Sequence, residues 1–396
     1  MNKHAKHIIY VSPQIYAYAE IAYQTFCLRN LFSDENKYQI SLITFPIQKF
    51  KMNKALYNIT TRGINVVQTT DHNLIWYSSK TEKKSVIQEG NNIYLLCNNN
   101  ELYLNFFKSF QNRQRVYFPS LNKRELEKGK KIRKSFGIPE HAPIVTLHVR
   151  ESGWTGGKKN DGPSIHRNAQ IKNYYLAIKY LIEEGFYVVR LGDTSMKKLE
   201  LIDPHVIDAP FHPNYSDIVD PYFISQSTFF IGVASGPYTI AECFGTPKLM
   251  TNYPISDYTC AWKKDLFIFK KYYSEHLKRY LTYDEILTSQ ASSLAHTESL
   301  EKEGLKLVEN TSEEILAAVK EMDDRLNDNY SSKEEMKQIN SHFLSIQKKA
   351  LCLDKHLNNS FTYVPLYHFF DHENVNVPIS IEYLKANPFF MGHLWK

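Results

Sequence analysis

Three short motifs that identify common phosphate-binding or metal-dependent sites are absent from this chain of 396 residues. There is no G-x-G-x-x-G and no P-loop lysine motif, which excludes the usual dinucleotide fingerprint and the Walker-type nucleotide loop. There is also no D-x-D, so the sequence offers no closely spaced acidic pair for a divalent cation. We therefore expect no metal and no tightly bound cofactor, and any phosphate group would be held by a cationic side chain or a helix N-terminus.

Cysteine is scarce and irregularly placed. The chain has five cysteines and no C-x-x-C pair: Cys27, Cys97, Cys243, Cys260 and Cys352. An odd number at wide spacing is typical of reduced, partly buried thiols in a cytoplasmic protein. The pattern excludes both a zinc motif and a disulfide framework.

Long apolar runs are also missing. The basic residues 1–7 are followed only by the short apolar run 8–11 before Ser12 and Pro13. This run is too short for a signal-peptide core, and no stretch approaches the length of a transmembrane helix. We therefore predict a cytoplasmic protein, which leaves peripheral contact with a membrane surface open.

The charge is nearly balanced, with 48 Lys and Arg residues against 42 Asp and Glu residues and a formal net charge of +6. This excess is too small and too dispersed to indicate a nucleic-acid partner. The hydrophobic content of 43% is sufficient for a large core, and the length favours two domains. We expect a folded globular protein with a solvated, mildly basic surface.

One stretch that is present, residues 228–252, has a clear strand, turn, helix, strand pattern. An apolar run over 228–233 predicts a buried strand, and Ser235, Gly236 and Pro237 form a tight turn suited to a helix start. Residues 238–244 predict the helix, which Gly245 ends. The backbone N–H groups at such a helix start either bind an anion, most naturally a phosphate, or belong to a turn that binds nothing.

The first part of the chain predicts an irregular α/β domain. Strands are expected at 8–11, 40–45, 64–67, 93–97 and 115–119, and helices at 17–32 and 122–134. The alternation implies parallel strands with crossover helices. A change in composition at Gly137, Pro139 and Pro143 places a domain boundary there.

From Ile144 onward the pattern is cleaner. Strands are predicted at 144–149, 187–191 and 206–208, with helices over 168–185 and 217–225. The first strand delivers Arg150 and Glu151 to the carboxyl edge of the sheet, and the second is followed by Gly192 and Asp193. Several strand-to-helix connections are therefore expected to point at one cleft.

Each polar residue at this edge has two interpretations. Arg150 either binds a diphosphate, which we favour, or pairs with Glu151 or Asp193. Asp193 either contacts a ligand or caps the next helix. Arg190, inside an apolar strand, needs a carboxylate or a phosphate as partner.

Two further residues of this region remain open. Glu242, in the helix after the turn, faces either a ribose or solvent. His148 is more simply a hydrogen-bonded core histidine than a catalytic one.

The long polar segment over 152–167 resembles a lid, because long connections at this edge of α/β sheets are more often functional than accidental. It carries several glycines and the candidate lid residues Trp154, Lys158, Lys159 and Arg167. We expect this segment to order when a ligand binds.

Residues 144–252 resemble a family of GT-B glycosyltransferases from bacterial capsule and lipopolysaccharide gene clusters, through the motifs H-V-R-E-S-G-W, R-N-A-Q-I-K-N-Y, V-V-R-L-G-D-T-S-M and I-G-V-A-S-G-P-Y-T-I-A-E-C-F-G-T-P. The first motif is distantly similar to the H-x-R motif of fucosyltransferases, and the last to the donor-binding turn of heptosyltransferases. The resemblance continues weakly through 310–322, with a capping box from Thr311 to Glu314, and through 379–390.

The resemblance implies an α/β GT-B fold, with two Rossmann-like domains facing each other across a cleft. We expect an acceptor-side domain over 1–140, a nucleotide-sugar donor domain over 141–325, and a helical tail over 326–396 that packs back on the N-terminal domain. Arg150 corresponds to the family arginine at the donor diphosphate. The expected donor-binding residues are Arg150, Arg190, Gly192, Asp193, Ser235, Gly236, Pro237, Tyr238 and Glu242.

The sequence departs from the family in its first turn. Relatives carry a Gly-His pair after the first strand, whereas residues 12–20 read S-P-Q-I-Y-A-Y-A-E. Glu20 is the carboxylate nearest to that edge, either the catalytic base or a surface residue of the first helix. Arg150, Glu151 and Glu20 are therefore the catalytic candidates.

The resulting expectation is a cytoplasmic glycosyltransferase that moves a sugar from a nucleoside diphosphate sugar to a saccharide or lipid-linked acceptor. A GDP-sugar is favoured only through the likeness to fucosyltransferases. The alternatives are a nucleotide-sugar epimerase of similar architecture and a non-catalytic glycan-binding scaffold. Donor-dependent release of nucleoside diphosphate separates these classes.

Overall fold

The structure is a computed structural model of the chain. It describes residues 6–12, 20–34, 36–46, 52–80, 85–96, 102–103, 105–106, 116–152, 162–255, 262, 264–330, 338–339, 341–342, 345–346 and 379–395. The chain forms two compact units. The first comprises residues 1–129, 216–225 and 239–245, and the second comprises residues 130–215, 226–238 and 246–396.

The first unit contains a five-stranded sheet in the order β3-β2-β1-β5-β4. Its strands are β1 (Lys6–Val11), β2 (Tyr38–Thr44), β3 (Asn65–Gln68), β4 (Ser85–Glu89) and β5 (Asn92–Leu96). The neighbouring pairs are parallel except for β4 and β5, which form an antiparallel hairpin. The expected strands at 8–11, 40–45, 64–67 and 93–97 are confirmed to within two residues at each end, but β4 was missed and the sheet is mixed.

The strand expected at 115–119 is wrong for the residues described there, which have no regular secondary structure. The side chain of Asn30 explains this, because its amide binds the backbone of Tyr117 at both ends. Asn30 Oδ1 accepts from Tyr117 N at 2.8 Å, and Asn30 Nδ2 donates to Tyr117 O at 3.1 Å. The backbone groups that a sheet would use are thus satisfied by a side chain.

The second unit contains a six-stranded sheet in the order β11-β10-β9-β6-β7-β8, in which all pairs are parallel. Its strands are β6 (Ile144–His148), β7 (Tyr187–Arg190), β8 (Val206–Asp208), β9 (Phe229–Gly232), β10 (Lys248–Tyr253) and β11 (Leu266–Phe269). Numbered from the first strand of the unit, the order is 6-5-4-1-2-3, which is that of a Rossmann fold. The α/β class with two Rossmann-like units, expected from the GT-B resemblance, is confirmed.

A second, antiparallel sheet of this unit has the order β13-β12-β14. It consists of β12 (Lys271–Ser274), β13 (Arg279–Tyr280) and β14 (Leu305–Val308), none of which the sequence predicted. These strands are short and mix lysine or arginine with apolar residues, so they lack the continuous apolar run that identifies a buried parallel strand.

The α-helices follow in chain order. They are α1 (Glu20–Leu31), α2 (Lys54–Thr60), α3 (His72–Lys80), α4 (Lys123–Ser135), α5 (Tyr175–Glu183), α6 (Val219–Ser225), α7 (Gly236–Phe244), α8 (Tyr283–Leu287), α9 (Thr297–Lys302), α10 (Ser312–Leu326) and α11 (Ile381–Ala386). The helix expected over 168–185 begins later, since Ile171–Tyr174 is a 3-10 turn. The capping box of Thr311 and Glu314 is confirmed at the start of α10.

The described part of the C-terminal tail packs on the second unit. Ile379 forms a parallel bridge with Phe267 of β11. The buried carboxylate of Glu321 in α10 accepts hydrogen bonds from Ser380 Oγ at 2.5 Å and from Ile381 N at 3.1 Å. This differs from the expected return of the tail to the N-terminal domain, because the free edge of β11 and a buried carboxylate offer these residues partners in their own unit.

Two cysteines, Cys27 and Cys243, are described, and both are free and buried. Burial raises the pKa of each thiol well above its ordinary value. The expectation of reduced, buried thiols is thus confirmed for these two, whereas Cys97, Cys260 and Cys352 lie outside the described residues. Among the helices of the described ranges, none is both long enough and apolar enough to span a bilayer.

Candidate donor site at the sheet edge

The carboxyl ends of β6 and β9 define the topological switch point of the second unit. The two strands are neighbours, and His148 at the end of β6 lies opposite Gly232 at the end of β9. In open α/β sheets the connections from such a pair leave toward opposite faces, which opens a crevice between them. Arg150 follows β6 and Ser235 follows β9, so both residues lie at the strand ends that the sequence predicted for them.

His148 joins three strand ends. Its Nδ1 lies 3.1 Å from the carbonyl oxygen of Leu191 after β7, and its Nε2 lies 3.1 Å from Ser235 Oγ. A carbonyl only accepts, so Nδ1 carries the proton and Nε2 accepts from the serine hydroxyl. Burial lowers the pKa of His148 to about 4, and the imidazole is therefore neutral and a weak base. The interpretation of His148 as a hydrogen-bonded core residue is confirmed.

This hydrogen bond also fixes the part that Ser235 can play. Its hydroxyl proton is directed at His148, so in this rotamer the side chain has only acceptor capacity left. Helix α7 begins directly after it, at Gly236, with Pro237 in its first turn, and the N–H group of Tyr238 donates to the carbonyl oxygen of Ser235 at 3.4 Å. Pro237 is buried and Tyr238 is half-buried, with its ring edge-on to Tyr253 at 6.4 Å.

Arg150 is held by the segment that folds over the end of β6. Its Nη1 donates to the carbonyl oxygen of Ser164 at 2.9 Å and to Oδ1 of Asn168. The backbone carbonyl of Arg150 accepts from Ala169 N at 3.0 Å. These contacts bind the guanidinium group to one segment, whereas Glu151, one of the two alternative partners, pairs with Arg190 instead.

Two more cations are bound to the same segment. Arg167 Nη2 donates to Ser164 Oγ at 3.0 Å, and Lys270 Nζ donates to the carbonyl oxygen of Asn168 at 2.5 Å. Ser164 and Asn168 therefore connect Arg150 to both of the other cations. We call Arg150, Arg167 and Lys270 the basic cluster.

The environment of Lys270 shows the electrostatic cost of this arrangement. Its side chain is buried, and burial lowers its pKa to about 8. Within that net shift the charge of Glu309 acts in the opposite direction, and the nearby charge of Arg150 adds to the lowering. Glu309 in turn accepts from the backbone N of Gln170 at 3.0 Å. A bound anion would relieve the repulsion among the cations, because opposite charge nearby favours the protonated lysine.

His166 lies within the same segment. Its pKa is lowered to about 3, chiefly by burial and in part by the charges of Arg167, Lys270 and Arg150, so the imidazole is neutral. Its Nδ1 lies 3.1 Å from Thr297 Oγ1, while its Nε2 is buried and has no hydrogen-bond partner among the described residues. Buried polar atoms are normally satisfied, and this one lies among cations whose natural partner is an anion.

Sequence patterns did not predict a role at the site for Lys270, His166, Ser164 or Asn168. Lys270 had a usable signal, because it directly follows the apolar run of β11 just as Arg150 follows that of β6. Its proximity to Arg150 depends on tertiary structure, since the two residues belong to strands on opposite sides of β9 and β10.

Arg190 has a different role from the one expected. Its side chain is fully buried, with Nη2 2.7 Å from Glu151 Oε2 and Nη1 3.1 Å from Asp208 Oδ1. Nη1 also donates to the carbonyl oxygen of Lys197 at 2.7 Å. The carboxylate alternative is therefore the correct one, and the predicted donor contact of Arg190 is wrong because no part of the side chain is exposed to a ligand.

Glu151 is the charge partner of this arginine. Burial raises the pKa of its carboxyl group, and the charge of Arg190 opposes that shift. A carboxylate that is fixed by a buried guanidinium has a structural function, so the catalytic assignment of Glu151 finds no support in the geometry.

The end of β7 is a tight turn. Gly192 has φ +143, and a Cβ atom at this position would lie 2.3 Å from Met196 Cε. Asp193 Oδ1 accepts from Ser195 N at 2.7 Å, which is a local turn contact. The capping alternative for Asp193 is thus closer to the structure, although a turn rather than a helix follows.

Glu242 and Glu20 both belong to the first unit. Glu242 is only 1% exposed, so the solvent alternative is wrong, while its contact with a donor ribose stays a prediction. Its charge adds to the effect of burial in raising the pKa of both Cys27 and Cys243. Glu20 begins α1 and accepts a hydrogen bond from the hydroxyl group of Tyr103. Of the candidate lid residues, Arg167 belongs to the basic cluster, while Trp154, Lys158 and Lys159 lie outside the described residues.

No protein-family model matches this chain, and no curated protein sequence matches it significantly. Solved structures match over much of its length at low identity. A family 9 glycosyl transferase from Veillonella parvula DSM 2008 has 9% identity and a TM-score of 0.40, covering 63% of this chain and 81% of that one.

Two heptosyltransferases are also similar. The dodecameric, iron-containing heptosyltransferase TibC, solved with ADP-D-beta-D-heptose, has 10% identity and a TM-score of 0.38, covering 82% of this chain and 77% of that one. The E. coli ADP-heptose lps heptosyltransferase II has 11% identity and a TM-score of 0.35, covering 62% and 84%. These solved structures are glycosyltransferases of low overall similarity, and the fold assignment rests on the strand order of the two sheets.

Proposed function

We propose that this chain is a glycosyltransferase that moves a sugar from a nucleoside diphosphate sugar to a saccharide or lipid-linked acceptor in bacterial surface polysaccharide synthesis. The observation that carries the proposal is the basic cluster at the carboxyl edge of a Rossmann-ordered sheet, in which Arg150 follows β6, the neighbour of the strand that leads into α7. The motifs of residues 144–252 support the same reaction. The donors of such reactions are made in the cytoplasm, where we place the enzyme.

The chemical task of this site is to stabilise the diphosphate as it leaves the sugar. Negative charge on the leaving group grows as the glycosidic bond breaks, so donors fixed in advance around it lower the barrier most. Arg150 and Arg167 present guanidinium groups suited to phosphate oxygens, and Lys270 adds a further positive charge. The positive end of the α7 dipole adds to the favourable potential at this edge.

The acceptor hydroxyl also needs a base, and Glu20 stays the proposed one. His148 is excluded from this role by its pKa of about 4, which makes it too weak a base near neutral pH. Its contact with Ser235 outwardly resembles a nucleophile and base pair, but it serves to position the turn before α7.

The deciding experiment measures products from a panel of GDP-, UDP- and ADP-linked sugars with a crude glycan or lipid-linked acceptor. A transferase releases free nucleoside diphosphate in a one-to-one ratio with a new glycoside. An epimerase yields an altered nucleotide sugar without a glycoside, and a binding scaffold yields neither. Thermal stabilisation by each free nucleotide identifies the donor base beforehand, because a specific ligand raises the melting temperature by mass action.

A further inference from the structure

A second basic feature, independent of the donor site, lies on helix α4. The helix has the sequence K-R-E-L-E-K-G-K-K-I-R-K-S from Lys123 to Ser135. Of its seven basic residues, Arg133 is buried and binds the carbonyl oxygens of Pro139 at 2.9 Å and Ala142 at 2.7 Å. That arginine therefore fixes the helix to the chain that follows it, and the other six have to be explained separately.

The six remaining cations are all exposed: Lys123, Arg124, Lys128, Lys130, Lys131 and Lys134. At 100° per residue they fall within an arc of about 160° on the helix surface. The opposite side is packed, since Gly129 and Ile132 are buried and a Cβ atom on Gly129 would lie 1.9 Å from the ring of Tyr222. We call the six-residue arc the basic face of α4.

Little acidic charge compensates this face. Glu125 points away from it to Arg62, with which it makes a contact of 2.7 Å. Lys130 pairs with the exposed Glu140 at 3.1 Å, and Glu127 is the acidic residue exposed within the arc. The other five cations have no ion-pair partner among the residues that the structure describes. A surface with this excess of positive charge is electrostatically complementary to an anionic partner.

We propose that the basic face of α4 docks the protein on a membrane surface rich in anionic phospholipids. Clusters of four to eight lysine or arginine residues on one helix bind such surfaces, because each charge gains energy in the negative surface potential. Tyr117, five residues before the helix-capping Asn122, is 66% exposed and offers a ring of the kind enriched at the lipid headgroup level.

The composition of the face favours a lipid surface over a nucleic acid. Five of its six cations are lysines, which act as point charges in a diffuse potential, whereas arginine is the residue selected for bidentate contacts with individual phosphates. The face is also a single helix about 20 Å long, with one carboxylate in its middle. Such a face matches a charged plane better than it matches the regular phosphate spacing of a duplex.

The test is co-sedimentation of the purified full chain with vesicles of phosphatidylcholine, alone or mixed with phosphatidylglycerol. No donor or acceptor is present, so the result does not depend on the proposed transferase activity. We expect binding to the mixed vesicles only, with loss at high salt because the interaction is screened. The variant Lys123→Gln, Lys128→Gln, Lys131→Gln, Lys134→Gln should bind several hundredfold more weakly, since each lysine contributes about 1 kcal/mol.

A matched control removes the same charge elsewhere. Lys172, Lys179, Lys264 and Lys302 are exposed in other parts of the chain, and their replacement by glutamine lowers the net charge by the same four units. We expect the control variant to bind vesicles as the wild type does. Equal losses in the two variants would show that net charge alone drives binding and would overturn the proposal.

Two other outcomes decide against it. Absence of wild-type binding to the mixed vesicles at low salt rejects the docking surface outright. If an RNA duplex at equal phosphate concentration displaces the vesicles through the same four lysines, the face is a nucleic-acid site. If the fourfold variant melts at a lower temperature than the wild type, two double variants test the face in halves: Lys123→Gln with Lys134→Gln, and Lys128→Gln with Lys131→Gln. Unchanged binding by both double variants also rejects the proposal.

Discussion

Arg150 and Lys270 donate hydrogen bonds to the same residue, Asn168, the arginine to its side-chain oxygen and the lysine to its backbone carbonyl at 2.5 Å. One cation follows a central strand of the sheet and the other follows an edge strand. The folded segment over 164–170 brings them together. Two cations near each other repel, and a bound anion would relieve that repulsion.

The first prediction concerns Arg150→Ala. Loss of a charge-assisted contact to a leaving diphosphate forfeits on the order of 3 kcal/mol in the transition state, which is at least roughly a hundredfold in kcat/KM. The melting temperature should fall by only a few degrees, because the side chain is only half-buried and its removal leaves little buried polar surface unsatisfied. Arg150→Lys should restore activity only in part, since a point charge does not reproduce the planar fork.

Steady-state kinetics and thermal melting of the two variants check this prediction. A variant that melts far below the wild type, while its folded fraction retains full activity, would make Arg150 a structural residue and reject the assignment of the donor site.

The second prediction is the opposite behaviour for Arg190→Ala. This side chain is fully buried between Glu151 and Asp208, so its removal leaves two partly buried carboxylates without their cation. Removing one partner from a buried ion pair typically costs about 3 to 5 kcal/mol of stability. We expect a large loss in urea unfolding, with nucleotide affinity of the folded fraction unchanged. If the variant keeps its stability but loses nucleotide binding, the prediction is wrong and Arg190 binds the donor.

The contrast between these two arginines shows how far the sequence could be interpreted. Both follow or end apolar strands, and both were assigned to the donor. Their difference depends on Asp208, which is 18 residues from Arg190 and reaches it only because β8 pairs with β7. Sequence patterns predict which strand end a residue occupies, but not which side chain lies opposite.

The parts of the fold that were predicted share one property. β6, β7 and β9 are apolar runs buried on both faces and bounded by glycine or polar turns, a pattern that a single sequence carries. The hairpin strand β4 and the small sheet of β12 to β14 were missed because their residues alternate or mix in character. Lys270 was missed for another reason, since its role depends on a contact with Asn168 across 102 residues.

The third prediction is that transfer persists in excess EDTA. The chain has no D-x-D, and we assign stabilisation of the leaving diphosphate to the basic cluster and to the start of α7. Activity should therefore be the same with and without chelator. Complete loss in EDTA that Mg²⁺ or Mn²⁺ restores would reject this mechanism, while leaving the fold assignment untouched.

The last prediction is a pH dependence of nucleotide affinity that originates at Lys270. Its pKa is lowered to about 8, chiefly by burial, so the side chain loses its charge as the pH rises through that value. The phosphate groups of a nucleoside diphosphate are already fully ionised there. Affinity should thus fall roughly tenfold or more between pH 7 and pH 9.5, which is the scale of one charge-assisted contact. Lys270→Gln should bind weakly at pH 7 and show little further loss.

Two independent measurements check the origin of this effect. The bound diphosphate raises the pKa of Lys270, so binding near pH 9 should take up a proton in the wild type and not in Lys270→Gln. Calorimetry in buffers of different ionisation enthalpy detects this uptake. For the ligand-free protein, the effect of pH on stability has the opposite sign to the effect of pH on affinity. The folded-state pKa lies below the unfolded value of 10.5, so the unfolded chain binds more protons between about pH 8 and 10.5, and this group makes the free protein more stable as the pH rises through that window. Proton uptake of equal size in the wild type and the variant would place the titrating group elsewhere and remove Lys270 from the site.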